Sequence, residues 1–375
     1  MKKVNLCILT FPVTESGVIP LSNLIEIIYT LSNELVVVTG DVGYEVFKND
    51  ERLKAYEIKH NSKNNLLSRA FQYILTQIKI SYKILKIKNI DGWIFFMGGD
   101  TLVLPMLMIK IMRKKVFLVF AGSAIKTLES ADDQFSIFAK VLSNINCKLS
   151  DKIIIYSEKL VKEWNLENYK EKIVIMHRHF IDFDNFKIKT ELSKRENIIG
   201  YIGRLSKEKG VEEFLKSIPE LIKINSDLEF LICGDGGLKD EISEYISKNN
   251  LNTKVKLLPW ISHEEVPVYL NRLKLLVVPS YTEGLPNIIL EAMACGTPVL
   301  ATGAGAILDV IENGKTGFIL ENNSNVCIKE NIIDFINYKN KEEVIARSLR
   351  KVKREFNYEK VFDTWKAFFE DYYGI

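Results

Sequence analysis

Short runs of Val, Ile, Leu and Phe alternate with helix-length segments along the whole chain, and this alternation constrains the fold more than any other feature. The runs lie at residues 4–9, 35–39, 93–97, 116–120, 153–156, 198–202, 230–233, 275–279 and 299–302. A strand with one wet face alternates apolar and polar residues, so near-continuous apolar runs belong to sheets covered on both faces. Segments of helical character at 22–32, 63–88, 134–149, 212–223 and 238–249 separate them, and that order builds parallel α/β layers. The 375 residues exceed one typical compact unit and favour two domains of roughly 150 to 200 residues each. The polar stretch 183–197 lacks a convincing period, and a new strand opens at Ile198. The expected division is therefore a first domain over 1–183, a second over 184–355, and an aromatic helix in 356–375 that returns to the first. The expected class is α/β, with two Rossmann-like, doubly wound parallel sheets facing a cleft.

Charge divides at the same seam. Residues 1–195 carry 29 Lys and Arg against 21 Asp and Glu, and residues 196–375 carry 22 against 27. The whole chain is near neutral at +3, and no recognised nucleic-acid module is visible, so nucleic acid is not an expected partner. Five cysteines stand far apart without a CxxC pair or zinc spacing, which fits a reducing, cytoplasmic compartment. The opening MKKVNLCILTFPVTES has an apolar run that ends too early for a secretory signal. The longest apolar stretch, 92–109, is broken by Gly98, Gly99 and Asp100, so no membrane span is expected.

The strongest chemical signal is PSYTEGLPNIILEAMACGTP at 279–298. A strand ends in a polar loop, Pro286 suits the first turn of a helix, and Gly296 suits its left-handed stop. The loop therefore points into a helix N-terminus, whose unpaired N–H groups and partial positive charge favour an anion such as phosphate. Glu283 in the loop and Glu291 on the helix flank that end and can accept hydrogen bonds from sugar hydroxyls. The second signal is GYIGRLSKEKG at 200–210, where a strand delivers Gly203, Arg204 and Lys209 to the carboxyl edge of the second sheet. Ligands of open α/β sheets bind at that edge, and a guanidinium beside an ammonium can hold a diphosphate and stabilise it as a leaving group.

These residues resemble the retaining nucleotide-sugar glycosyltransferases of family 4, which have the GT-B fold. GRLSKEKG, ICGDGG at 232–237, Glu283 and Glu291 with seven residues between, MACGTPV, and ENGKTGFI at 312–319 occur in that family's order. The resemblance implies a metal-independent transferase that moves a sugar from a nucleoside diphosphate sugar to a glycan or lipid-linked acceptor, with retention, in polysaccharide or glycoconjugate synthesis. It implies Arg204 and Lys209 at the donor diphosphate, Glu291 at the ribose and Glu283 at the transferred sugar. Gly284, Leu285, Pro286 and Asn287 then line the phosphates or sugar, the base lies near Gly234 and the stretch Leu258 to Ile261, and Gly17 approaches a phosphate of the donor. No cofactor is implied. The leaving diphosphate takes the acceptor proton on the same face, so no side-chain nucleophile is needed.

The first half departs from the family pattern. The His usual after the fifth strand is replaced around Ala121, Gly122 and Ser123, the Asn-Gly before the second domain by His177-Arg178-His179-Phe180, and the glycine loop is reduced to Ser16-Gly17. Asp100, Gly122 and Ser123 are acceptor-side candidates, although a turn-capping role explains Asp100 as well. The missing His also suits a rival reading, a sugar-nucleotide binder without chemistry; a second rival is an epimerase of the same fold. His177 with His179 lacks a third ligand for a metal, and Asp182-Phe183-Asp184 sits at the seam rather than in a site.

From Ile58 to Ile90 there is no acid and there are seven bases. Leu67, Phe71, Ile74, Ile78, Tyr82 and Leu85 form one stripe, Lys79, Lys83 and Lys86 gather beside it, and Ile80, Ile84 and Ile87 form a further face. Two apolar faces and a basic flank on one helix suggest peripheral contact of 63–88 with anionic lipid at the inner face of the membrane.

Overall fold

The computed structural model describes residues 4–61, 65–130 and 133–374. Residues 63 and 64 of the basic segment lie outside the described residues. The chain forms two compact units, Met1–His179 with Val361–Ile375, and Phe180–Lys360.

The first unit is built on a seven-stranded parallel sheet. Its strands are β1 (Val4–Thr10), β2 (Ser32–Thr39), β3 (Lys54–Glu57), β4 (Gly92–Phe96), β5 (Lys115–Val119), β6 (Lys152–Ile155) and β7 (Ile173–Ile175), in the order β3-β2-β1-β4-β5-β6-β7. β1 pairs with both β2 and β4, with Cys7 opposite Val36 on one side and Trp93 on the other. Chain progress along the sheet reverses between β1 and β4, the arrangement in which α/β sheets open a crevice at the carboxyl ends of their strands. The helix Tyr358–Tyr373 brings Phe369 and Tyr372 edge-on to Phe117 of β5, at ring centroids of 5.5 and 4.9 Å. Trp365 is buried there and donates its indole N–H to the carbonyl of His177 at 2.9 Å.

The second unit holds a six-stranded parallel sheet. It comprises β8 (Ile198–Ile202), β9 (Glu229–Cys233), β10 (Val255–Leu258), β11 (Leu273–Val278), β12 (Val299–Thr302) and β13 (Phe318–Leu320), ordered β10-β9-β8-β11-β12-β13. Here the reversal falls between β8 and β11, which pair directly with Leu276 opposite Gly200. The loops that follow these two strands carry the two strongest sequence motifs, so the topology alone sets them side by side. The helix Val211–Ile224 buries Val211, Phe214, Leu215, Ile218 and Leu221, a spacing that turns one face to the sheet. Phe214 meets Phe230 of β9 across 6.2 Å.

Three local expectations are corrected. The first helix spans Glu15–Leu31 rather than 22–32 and contains Pro20 in its second turn, where the missing N–H removes one intrahelical hydrogen bond. Ser16 and Gly17 therefore lie in a helical turn, not in an open glycine loop. Pro286 is the cap residue immediately before the helix Asn287–Ala294 rather than a member of its first turn; its fixed φ still suits an entry point.

Candidate active site

The site is assembled at the carboxyl edge of β8, β9 and β11. After β8, Tyr201 is buried and its phenol donates to the carbonyl of Arg204 at 2.6 Å. Burial and the carboxylates of Glu283 and Glu208 push that phenol well above its ordinary pKa, so it remains a neutral donor beneath the loop. Arg204 reaches back to Glu208 at 3.0 Å, and Ser206 donates to the same Glu208 oxygen at 2.7 Å. The backbone N–H of Tyr281 donates to the Glu208 carbonyl at 2.9 Å, tying the loop after β8 to the loop after β11.

Gly210 closes the first loop in the left-handed region, φ 68°, and a Cβ there would come within 2.0 Å of the Pro279 carbonyl. Only glycine allows this approach. The contact brings Lys209 to Glu283, with Nζ and Oε1 2.6 Å apart; their side chains are 21% and 9% exposed. Ser280 donates to the same Glu283 oxygen at 2.7 Å. On the far side, Ala306 N–H donates to the Gly284 carbonyl at 2.8 Å, and a Cβ on Gly305 would meet the Glu283 carbonyl at 2.1 Å. Glu283 is thus held from three directions, by side chains and by backbone packing.

The helix Asn287–Ala294 follows, with Gly284, Leu285 and Pro286 leading into it and Gly296 at φ 65° behind it. Glu291 is buried on this helix and shares a 2.9 Å hydrogen bond with Nε2 of His263. Burial alone would lower the His263 pKa, but the bond and charge of Glu291, with Glu264 and Asp182 nearby, raise it above the usual imidazole value. Gly203, Gly234 and Leu258 converge at the ends of β8, β9 and β10. Gly203 N–H donates to Cys233 at 2.9 Å, Gly234 N–H donates to Leu258 at 3.1 Å, and a Cβ on Gly234 would sit 1.8 Å from the Gly203 carbonyl.

Sequence reasoning therefore identified Gly203, Arg204, Lys209, Gly234, Leu258, Glu283, Gly284, Leu285, Pro286, Asn287 and Glu291, and all of them occupy one unit around this edge. It missed Glu208, Ser280 and His263. The signal for His263 lay in Ser262-His263-Glu264-Glu265, directly after the stretch assigned to the base.

The remaining candidates lie in the first unit. A Cβ on Gly17 would strike Met97 and Val13 at 2.4 and 2.5 Å, and its N–H donates to Thr14, so packing accounts for this glycine. Asp100 is buried in the turn Gly99–Thr101, and its pKa is pushed to about 6 by burial, partly offset by a Ser143 hydrogen bond. Ser123 accepts the N–H of Lys126 at 3.1 Å, as a helix cap does, and Gly122 is part-exposed beside it. Asp182, at the start of the second unit, accepts the N–H groups of Asp184 and Asn185 as a turn cap. Among the described residues no group of three or more His, Cys, Asp or Glu could hold a metal ion.

Residues 182–352 match the family Glycosyl transferases group 1. The chain is 29% identical to the 2-deoxystreptamine N-acetyl-D-glucosaminyltransferase of Niallia circulans, over 56% of this chain and 57% of that protein. It is 26% identical to an uncharacterized glycosyltransferase of Methanocaldococcus jannaschii, over 88% of this chain and 91% of the relative. The matched segment spans only 57% of the length of the Niallia relative and of a second Methanocaldococcus glycosyltransferase. Among solved structures, Anabaena HepE in complex with UDP and glucose superposes with a TM-score of 0.77, at 16% identity, covering 97% of this chain and 99% of that one. Sucrose-phosphate synthase from Thermosynechococcus elongatus superposes at 0.79, at 14% identity, covering 99% and 100%. Both likenesses concern the fold, and they agree with two all-parallel α/β units of the GT-B class. The matched segment 182–352 falls within Phe180–Lys360, the unit that holds the Lys209–Glu283 pair, so it is this unit that is similar to Glycosyl transferases group 1.

Proposed function

We propose that this protein is a glycosyltransferase that moves a sugar from a nucleoside diphosphate sugar to a glycan or lipid-linked acceptor in the cytoplasm, with retention and without a metal ion. The observation that carries this reading is the Lys209–Glu283 pair at the topological switch between β8 and β11. One cation and one carboxylate, both largely removed from water, are joined at the loop that leads into the helix N-terminus at Asn287. Such an end favours phosphate oxygens.

The donor diphosphate lies over residues 284–287 and takes Lys209 and Arg204 as counter-charges. As the sugar–oxygen bond breaks, negative charge grows on the diphosphate, and fixed cations with oriented N–H groups lower the barrier where water is excluded. Glu283 accepts hydroxyl hydrogen bonds from the transferred sugar and holds it in line. Glu291 does the same for the ribose, with His263 fixing its orientation. The base rests against the backbone that Gly203, Gly234 and Leu258 bring together. The acceptor hydroxyl gives its proton to the departing diphosphate on the same face, so the bond to the sugar forms as the bond to the leaving oxygen breaks. We assign the acceptor, with Asp100, Gly122 and Ser123, to the first unit.

A thermal-shift screen against UDP-, GDP- and ADP-sugars in the presence of a chelator tests the reading, followed by donor turnover with the ligand that binds. Binding to the native state raises the melting temperature. A shift for one nucleotide class with slow release of the nucleoside diphosphate is the expected result. No shift with any donor overturns the site, and a shift that requires added metal overturns metal independence.

A further inference from the structure

In the first unit three helices lie in a row, Leu66–Lys86 against Val103–Ile111 and Val103–Ile111 against Phe135–Leu149. The row is fastened by side chains: Tyr73 donates to Thr101, Gln77 accepts the N–H of Leu104 at 3.0 Å, and Arg69 pairs with Asp133 at 2.8 Å. The inner face of the first helix is spent on the core, with Ile80, Ile84 and Ile87 at most 5% exposed. Its second apolar face is not, and Phe71, Ile78, Tyr82 and Leu85 are each more than half exposed. The neighbouring helices continue the surface with Ile111 at 81% and Ile137 at 75% exposed. Scattered exposed apolar side chains are ordinary, whereas a surface shared by three adjoining helices marks an interaction site.

Charge says what covers it. The three helices together carry Arg69, Lys79, Lys83, Lys86, Lys110, Lys140 and Lys148 and not one Asp or Glu, in a chain that holds 48 acids. Lys79, Lys86 and Lys140 are exposed, and Arg113 extends the basic rim just past the second helix. A protein partner of the usual mixed charge would not require the complete removal of acids. An anionic bilayer does, because every carboxylate held near its surface is repelled while lysines are attracted and their stems pack on acyl chains.

We propose that the outer face of these three helices docks this protein on an anionic lipid bilayer, the apolar side chains entering the headgroup boundary and the lysines pairing with lipid phosphates. This goes beyond the transfer reaction and does not rest on it. Flotation of the full chain with vesicles of phosphatidylcholine alone, and of an equal mixture with phosphatidylglycerol, is the test. The protein binds the mixed vesicles, not the neutral ones, and high salt weakens binding. Reversing Lys79, Lys83 and Lys86 to Glu lowers partitioning by about 100-fold or more, at roughly fivefold per base lost. Phe71→Glu with Ile78→Glu lowers it as well, and both variants keep the melting temperature and any donor-induced shift, which separates this surface from the donor site. Equal binding to both vesicles, no binding to either, or full binding by the Phe71/Ile78 variant overturns the proposal. So does a lipid-free dimer that the Phe71/Ile78 variant splits, since a second copy would then own the surface.

Discussion

Lys209 and Glu283 come from loops 74 residues apart, and their Nζ and Oε1 atoms stand 2.6 Å from each other. In this arrangement the lysine's charge is already answered by a carboxylate. A diphosphate that takes Lys209 as counter-ion must compete with Glu283, and the two substitutions that break the pair should therefore act in opposite directions on nucleotide binding. Lys209→Ala removes the cation and weakens nucleoside diphosphate about tenfold or more, the range of a charge-assisted hydrogen bond. Glu283→Gln leaves the cation uncompensated and keeps or tightens that affinity. Turnover falls in both, by about 100-fold where a group that stabilises the transition state is lost. Calorimetry with the nucleoside diphosphate and initial rates check this, and equal loss of affinity in both variants would make the pair a structural tie.

The His263–Glu291 bond carries a pH signature. The imidazole gains its partner on folding, and its pKa is raised above 6.5. The native state therefore holds this proton more tightly than the unfolded chain, so the stabilisation is complete below the unfolded value and disappears as pH rises through the folded one. Melting temperatures of the parent and His263→Gln should differ more at pH 5.5 than at pH 8.5. A gap that stays constant across this range would mean that His263 contributes by packing alone.

The same contrast between dry and wet surroundings explains what could be read from the chain beforehand. The nine strands visible as apolar runs include every interior strand of both sheets, because an interior parallel strand is buried on both faces and needs such a run. The four strands that were not visible, β3, β7, β10 and β13, are the four sheet edges. KAYE and VKLL in β3 and β10 carry lysines where the edge meets water, and IVI and FIL in β7 and β13 are only three residues long. The loops after β8 and β11 were legible because their Gly and Pro residues obey backbone rules that hold in any fold. His263 and Glu208 were not, since each acts through a partner distant in space or hidden in a loop, and no periodicity announces it.

Arg195 was the least visible of the structural residues. It lies in the polar seam, yet it is 5% exposed and donates to the carbonyls of Thr190, Leu270, Leu273 and Cys295 and to the Thr297 hydroxyl at 2.7 to 3.2 Å. This fork ties the entrance of the second unit to β11 and to the helix end behind Glu291. Arg195→Met removes this donor from the carbonyls of Thr190, Leu273 and Cys295, while that of Leu270 keeps the Thr297 hydroxyl; a buried acceptor left unpaired costs about 1–3 kcal/mol. Denaturant unfolding should show a loss of about 3 kcal/mol or more; a loss under about 1 kcal/mol would mean that water replaces the guanidinium.

Asp100 gives the same sign of pH dependence as His263, in a lower and wider window set by burial rather than by a partner. Its carboxyl is 8% exposed, its Oδ2 has no hydrogen-bond partner, and burial lifts its pKa from 3.8 to about 6, against the pull of Ser143. The folded state thus binds a proton between those two values that the unfolded chain has released. Stability must fall as pH rises through that window and stay reduced above it, by up to about 3 kcal/mol for a shift of this size. Asp100→Asn keeps the shape and removes the charge. The variant should match the parent at pH 3.5 and unfold at higher denaturant at pH 7.5. If it is instead the less stable protein at pH 7.5, the ionised carboxylate is being held by a partner, and Asp100 is then poised for a ligand rather than merely enclosed by the turn.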